Sequence, residues 1–278
     1  MPSPERNVLI TGCSDGGIGA ALAVAFHQAG FHVYATARNV AKMKSLEALG
    51  IGLLELDVQS EASIAACVKK IPSLDILVNN AGTVYVMPVL DLNIAEAKRI
   101  FDLNVWSCVA VTQAFLPLLL RSHSALIVNH TSCASVMALP WQSVYNSSKA
   151  AMAIISDTLR LELQPFNINV VDLRSGNVRT NILAQANSTL PKGSIYEPAR
   201  KTMEKSLRQE AFLDQGITAS LFAQQVVQDL LKSNPPATIW RGENALLVRL
   251  LSFLPSWTFE GMIKKMTGLD VVEKILKK

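Results

Sequence analysis

Val8-Leu9-Ile10-Thr11-Gly12-Cys13-Ser14-Asp15-Gly16-Gly17-Ile18-Gly19 decides how the rest of this 278-residue chain is read. An apolar triplet, a glycine-rich turn and then an Ala-rich stretch that runs to Ala29 and stops at Gly30 spell strand, tight turn and helix. Further apolar runs at 32–36, 76–78, 125–128 and 168–173 alternate with longer segments of helical period, and each run is short and rich in β-branched residues. That alternation predicts an α/β fold with a doubly wound parallel sheet buried on both faces. A helix over 217–232 and a strand over 238–240 are expected to close the sheet. The chain is long enough for one large domain over 1–242, followed by a compositionally distinct tail over 243–278.

A turn of this kind binds the pyrophosphate of a dinucleotide. Glycine lets the backbone approach the phosphates, and unpaired N–H groups at a helix start supply donors and partial positive charge. Gly12, Ser14, Asp15, Gly17, Ile18 and Gly19 are the candidate contacts. About twenty residues further on, a chain that prefers NAD carries an Asp or Glu for the ribose 2′-hydroxyl. Here the second strand ends at Arg38, whose guanidinium suits a 2′-phosphate, so the expected cofactor is NADP(H). Asp57, after the next strand, is expected beside the adenine. Asn80, within Asn79-Asn80-Ala81-Gly82 after the strand at 75–78, is expected where that loop meets the cofactor and pins neighbouring strands.

Tyr145 and Lys149 are four residues apart in a helical segment over 142–160, so their side chains share a face. An ammonium beside a phenol favours phenolate and draws a group that titrates near pH 10 towards neutrality, which makes the tyrosine a proton donor. Ser132 follows the strand at 125–128 and can hydrogen-bond a substrate oxygen; Asn104 completes the set. Singly, the tyrosine reads as an interface aromatic, the serine as a turn residue and the asparagine as a surface helix residue. Jointly, in this order on these elements, they read as a carbonyl-reducing site.

Other classes have little support. Half the residues are hydrophobic and 17% are charged, which excludes a disordered chain. The net charge of +4 is dispersed and not interleaved with aromatics, which argues against nucleic acid as a partner. Cys13, Cys67, Cys108 and Cys133 lack metal-ligand or disulfide-framework spacing, so no metal site is expected and a reducing, cytosol-facing location is. His130 and Cys133 flank Ser132, but without a Gly-x-Ser-x-Gly elbow they do not make a hydrolase triad.

Taken together, the motifs from Asn7 to about Arg241 resemble the short-chain dehydrogenase/reductase family. The resemblance implies a Rossmann sheet of about seven strands. It implies that Tyr145 protonates the carbonyl oxygen, Lys149 binds the nicotinamide ribose and lowers the tyrosine pKa, Ser132 positions the carbonyl and Asn104 holds a relay water. Val178 and Thr180, within Ser175-Gly176-Asn177-Val178-Arg179-Thr180, are implied to face the carboxamide. Two departures stand out. The glycine turn is one residue longer than usual, which aligns Gly17 and Gly19 with the family's last two glycines and makes Gly16 the insertion. Ser175 replaces the usual proline, which removes a rigid φ and is expected to loosen the segment after it.

Within the family the chain looks most like fungal NADPH-dependent acyl-dihydroxyacetone-phosphate reductases, which implies a lipophilic ketone substrate. A tailoring reductase of a fungal secondary-metabolite pathway is the alternative. A homo-oligomer is also expected. An oxidising dehydrogenase, an epimerase and a non-catalytic cofactor-binding scaffold remain open alternatives. The segment 186–215, interrupted by Pro191, Gly193 and Pro198, is expected to form a mobile lid that selects substrate. The tail, with an apolar run from 245 to 254, Trp257 and trailing lysines, reads two ways: as a cap over the pocket or as a helix at the cytoplasmic surface of the endoplasmic reticulum or a lipid droplet.

Overall fold

The computed structural model describes residues 6–182, 188–213 and 215–277. Among the described residues nine strands run in chain order: β1 (Asn7–Thr11), β2 (His32–Ala37), β3 (Gly52–Glu55), β4 (Ile76–Asn79), β5 (Leu126–His130), β6 (Asn169–Ser175), β7 (Val178–Arg179), β8 (Ile217–Thr218) and β9 (Thr238–Arg241). Seven of them form one parallel sheet in the order β3-β2-β1-β4-β5-β6-β9. Every expected strand is present within a residue or two. The sheet is a single doubly wound Rossmann-type layer, with its switch point between β1 and β4.

Alternation along the strands assigns each side chain to a layer. Val8 and Ile10 face Phe26 on α1 (Ile18–Gln28) and Phe222 on α8 (Ala219–Leu230). Leu9, between them, faces the opposite layer with Leu77, Ile127 and Phe115. That layer is built by α3 (Glu61–Val68), α5 (Ser107–Leu119) and α6 (Ser143–Leu163). Phe26, Phe115 and Phe222 have no exposed surface, and full burial of such a side chain is worth about 1.5–3 kcal/mol. The apolar run at 108–120 is therefore a core helix, as expected. It continues α4 (Ile94–Phe101) through a π-helical turn at Asp102–Trp106. The run Ile94–Leu119 is long and apolar enough to cross a membrane, but half of its apolar window is buried inside the fold.

The lid expectation lies partly outside the described residues, at 186, 187 and 214. Its described part contains a 3-10 turn at Glu197–Ala199 and α7 (Arg200–Leu207), packed by Met203 and Leu207 against Trp141. A small separate sheet, β7 with β8, ties the start of this excursion to the start of α8. The tail folds back on the domain. Val248 of α9 (Ala245–Leu251) and Ile263 of α10 (Glu260–Thr267) pack on Cys133, Met137 and Trp240, while Val272 of α11 (Leu269–Leu276) packs near Trp141.

Candidate active site

The glycine-rich turn is shaped around an absence of side chains. Gly12 has φ +75°, and a Cβ there would lie 2.9 Å from the Ala81 backbone; one on Gly19 would lie 2.4 Å from the Gly12 carbonyl oxygen. Helix α1 starts at Ile18 with Gly17 as its N-cap, no side chain caps it and no acid occupies its first turn. Its leading N–H groups are left for an anion, and the cradle fits a dinucleotide pyrophosphate. Gly16, at φ +77°, bulges towards Asn181, where a Cβ would meet the amide at 2.5 Å. Gly17 is thus the residue before the helix, and Gly16 is the one that bulges from the turn.

The two asparagines after β4 pin the strand ends. Asn79 donates to Thr112 and Asn129, both at 2.9 Å, and Asn80 donates from Nδ2 to the carbonyls of Thr11 (2.7 Å) and Gly12 (3.1 Å). A cavity of about 750 Å³ runs along the carboxyl edge of the sheet past this point. Of the residues expected at the site, Gly12, Ser14, Asp15, Gly17, Ile18, Arg38, Asn80, Ser132, Tyr145, Lys149, Val178 and Thr180 line it.

Three expected residues do not line the cavity. Gly19 acts one layer below, where helix and turn approach too closely for any side chain. The Asp57 carboxylate accepts from the Gln59 N–H at 3.1 Å and so closes its own turn; Leu56, Val58 and Gln59 reach the cavity instead. Asn104 is buried in the π turn, its amide bonded to the Thr83 backbone through both Oδ1 and Nδ2 at 2.9 Å and to Ser148 at 3.0 Å. Its Oδ1 and the Lys149 ammonium flank Gly82, on which a Cβ would lie 3.1 and 3.5 Å from them. The surface-residue reading of Asn104 is thereby replaced by a buried one.

Tyr145 and Lys149 share a face of α6 as their spacing predicts, with the Lys149 Nζ 5.9 Å from the phenol ring centroid. Lys149 donates to the His130 carbonyl at 2.8 Å. Burial pushes the Tyr145 phenol above its ordinary pKa, against a downward pull from the Ser132 hydroxyl. Burial also pushes the Lys149 ammonium down, partly offset by Cys108 and Asp172. The expected lowering of the phenol by the neighbouring ammonium does not appear among the influences on Tyr145, of which the cost of burying phenolate is the largest. The protonated tyrosine that results is a proton donor at neutral pH.

Sequence reasoning missed what joins the two halves of the cavity. Because both Nδ2 bonds of Asn80 go to carbonyls, its Oδ1 faces His130 and accepts from Nδ1 at 2.9 Å. The imidazole is neutral, with burial and Lys149 holding its pKa down to about 3, so Nε2 accepts from the Ser175 hydroxyl at 2.9 Å. A polar chain therefore ties the glycine turn to the end of β6. Gly176 and Asn177 are further held by the Arg241 and Glu243 carbonyls at 2.8 and 3.0 Å. The loosening expected where serine replaces proline is opposed by these bonds. Alternation did place His130 on the side of Ser132, but its partners are 50 and 45 residues away, just after β4 and at the end of β6.

His130 also makes a stability prediction. Its folded value of about 3 lies below the ordinary 6.5, so the unfolded chain takes up the proton first as pH falls. The contribution is fully present above pH 6.5 and is lost on descent towards pH 3, at about 1.4 kcal/mol per pH unit. Urea unfolding across this window should show that slope in the native protein and a shallower one in His130→Val, whatever the variant's absolute stability.

With this geometry established, comparison with known proteins is specific. The family model described as short chain dehydrogenase matches residues 6–191. A short-chain dehydrogenase/reductase of Pestalotiopsis microspora is 49% identical over 278 residues, covering 99% of this chain and 98% of that protein. An NADPH-dependent 1-acyldihydroxyacetone phosphate reductase of Schizosaccharomyces pombe is 36% identical, covering 95% of each. The crystal structure of a short-chain dehydrogenase from Streptomyces avermitilis superposes with a TM-score of 0.78 at 25% identity and covers 98% of both chains.

Proposed function

The chain belongs to the short-chain dehydrogenase/reductase family, an oxidoreductase family that uses NAD(P), and from that premise we propose that it reduces an uncharged, lipophilic ketone to a secondary alcohol with NADPH. One observation carries this reading. Ser132, Tyr145 and Lys149 line the cavity between the dinucleotide cradle and an apolar chamber built from Met137, Leu139, Phe212, Leu251, Met262 and Met266. NADPH bound in the cradle would supply the hydride. Tyr145 gives its proton to the carbonyl oxygen, Ser132 hydrogen-bonds that oxygen as charge develops, and Lys149 keeps an ammonium beside the phenol. Asn104 acts from behind, fixing the Gly82–Thr83 backbone next to the lysine.

The lining of the chamber bears on substrate class. Apart from Lys149, its cationic residues are Arg38, at the end of β2, and Arg99, which pairs with Glu96 on α4 at 2.9 Å. A phosphorylated ketone would meet no arginine or lysine among the described residues of the apolar end. This favours a neutral ketone, such as a tailoring enzyme meets, over acyl-dihydroxyacetone phosphate. The test is NADPH oxidation with acyl-dihydroxyacetone phosphate, a steroid ketone, retinal and a polyketide-like diketone. Turnover of a neutral member supports the proposal; turnover of the phosphate ester alone, or of none while NADPH binds, overturns it.

The exposed Arg38 lines the cradle end, has no salt-bridge partner among the described residues, and supports the choice of NADPH. Arg38→Asp should shift the NADPH-over-NADH ratio of kcat/KM by about 10- to 100-fold towards NADH, the worth of a charge-assisted hydrogen bond. An unmoved ratio would assign the 2′-phosphate to another residue.

The tail supports a lipid surface as partner, at the cytosolic face of a membrane. Leu250, Phe253 and Trp257 are 67%, 78% and 72% exposed, Leu246 and Leu254 extend the patch, and Arg249 stands among them. Neighbouring Leu247, Val248 and Leu251 line the cavity, so the patch adjoins its apolar end. Vesicles of phosphatidylcholine and phosphatidylserine should carry the native protein in flotation. A variant with Leu250, Phe253 and Trp257 each replaced by serine should stay behind with its NADPH binding intact.

A further inference from the structure

Two buried amides stand at the chamber wall. Gln142, only 8% exposed, is the N-cap residue of α6 and precedes Tyr145 by three positions, one helical turn away on the same side. Gln209, 6% exposed, lies in the lid excursion just after α7, and both residues line the cavity. Each is reached through unfavourable backbone. Gln209 itself has φ +56°, and Trp141, immediately before Gln142, has φ +70°, values that non-glycine residues avoid. The Trp141 conformation is held from outside: its carbonyl accepts from Met87 N–H at 2.6 Å and its ring is buried against Tyr196. Strain of this kind persists where the surroundings over-determine it, and such places cluster at ligand sites.

The hydrogen bonds fix which end of each amide faces the chamber. Gln209 Nε2 donates at 2.9 Å to the carbonyl of Ser206, which can only accept, so its Oε1 must point the other way. There it accepts from Gln142 Nε2 at 2.8 Å. Gln142 Oε1 is left over, on a residue more than nine-tenths buried, with no hydrogen-bond partner among the described residues. Met137, Leu139 and Phe212 line the same cavity, and none of them donates from its side chain. The oxygen is not sealed in the fold but opens on the cavity, where a donor that enters can reach it and where displacing water without replacing its hydrogen bond is costly.

We infer that Gln142, oriented by Gln209, is a specificity residue that accepts a hydrogen bond from a hydroxyl group on the substrate. The inference rests on the ketone-reductase reading and narrows it: the preferred substrate is a neutral hydroxy-ketone, with an alcohol or phenol O–H on the side of the carbonyl that faces the start of α6. Such a site discriminates strongly because a ligand lacking the hydroxyl leaves the acceptor both buried and unpaired.

The test uses the full-length protein loaded with NADP+ and titrates it calorimetrically with α-tetralone and its ring-hydroxylated analogues. The native protein should bind at least one hydroxylated analogue about fivefold or more tightly than the parent, as one buried hydrogen bond gives. Gln142→Leu should abolish that preference while changing parent affinity less than about twofold. Gln142→Glu, which keeps an acceptor, should retain it; Gln209→Leu, which frees the amide to turn, should weaken it. Equal affinities across the panel in the native protein, or a preference that survives in Gln142→Leu, overturns the inference. Parallel NADPH oxidation separates the two readings. Analogues that bind with the expected preference but are not reduced would remove the reductase reading and leave Gln142 as a hydroxyl acceptor.

Discussion

Replacing Tyr145 by phenylalanine is expected to lower ketone turnover by about a thousandfold while the dissociation constant for NADPH stays within about twofold. The phenol oxygen is the one atom removed, and the ring keeps its place in α6 with the Lys149 ammonium at its face. The loss should fall on kcat, because proton delivery is needed in the transition state and not in the bound ground state. Burial raises the phenol pKa in the cofactor-free chain, so the acid form persists to higher pH than in a solvated tyrosine. The kcat/KM for NADPH, which reports the free enzyme, should therefore hold level through neutral pH and fall only on the alkaline side. Reaction in the alcohol-oxidising direction should rise with pH where reduction falls. A Tyr145→Phe protein that still reduces ketones at a tenth of the native rate would remove Tyr145 as proton donor. A native protein that binds NADPH and reduces nothing would favour the scaffold alternative.

What sequence revealed of this site depended on how far apart the cooperating residues lie in the chain. Tyr145 and Lys149 were legible because helical spacing alone puts them on one face. The cradle was legible because four glycines within eight positions must answer a local steric demand, now visible in the contacts a Cβ on Gly12 or Gly19 would make. The sheet was legible because Val8, Leu9 and Ile10 need burial on both faces, and so does every other central strand. Asp57 was expected beside the adenine; its carboxylate accepts from a backbone N–H two residues on, while its neighbours Leu56, Val58 and Gln59 line the cavity. Asn104 was seen as a member of the set, but its burial depends on a π turn that no residue pattern announces. The His130–Ser175 bond and the Gln142–Gln209 pair join residues 45 and 67 positions apart, and only the assembled sheet and lid bring them together. The tail offered a choice between capping the pocket and facing a membrane. The fold puts Val248, Met262 and Met266 on the cavity and leaves Phe253 and Trp257 in solvent, so each reading concerns different residues of one segment.

Lys149→Met is expected to reduce kcat/KM about 10²–10³-fold and yet leave the protein as stable as the native one, to within about 1 kcal/mol. The sign follows from burial. The folded pKa of Lys149 lies below its ordinary value, so the cost of holding a charge inside the fold is present at neutral pH and is relieved as pH rises through the lowered folded value towards the range where a solvated lysine titrates. Methionine matches the length of the stem without that charge, and what is lost is one donor to the His130 carbonyl. Arginine should not rescue. The ammonium sits close to Gly82, where even a Cβ would be 3.5 Å away, and a planar guanidinium needs more room. If Lys149 were a structural residue that merely fills the space under Tyr145, methionine would preserve both melting temperature and turnover. A fall in both together would instead mean that the lysine holds the fold. Retained stability with lost turnover is the signature of a buried charge kept for chemistry at the expense of the fold, and a thermal melt beside a progress curve distinguishes the three cases.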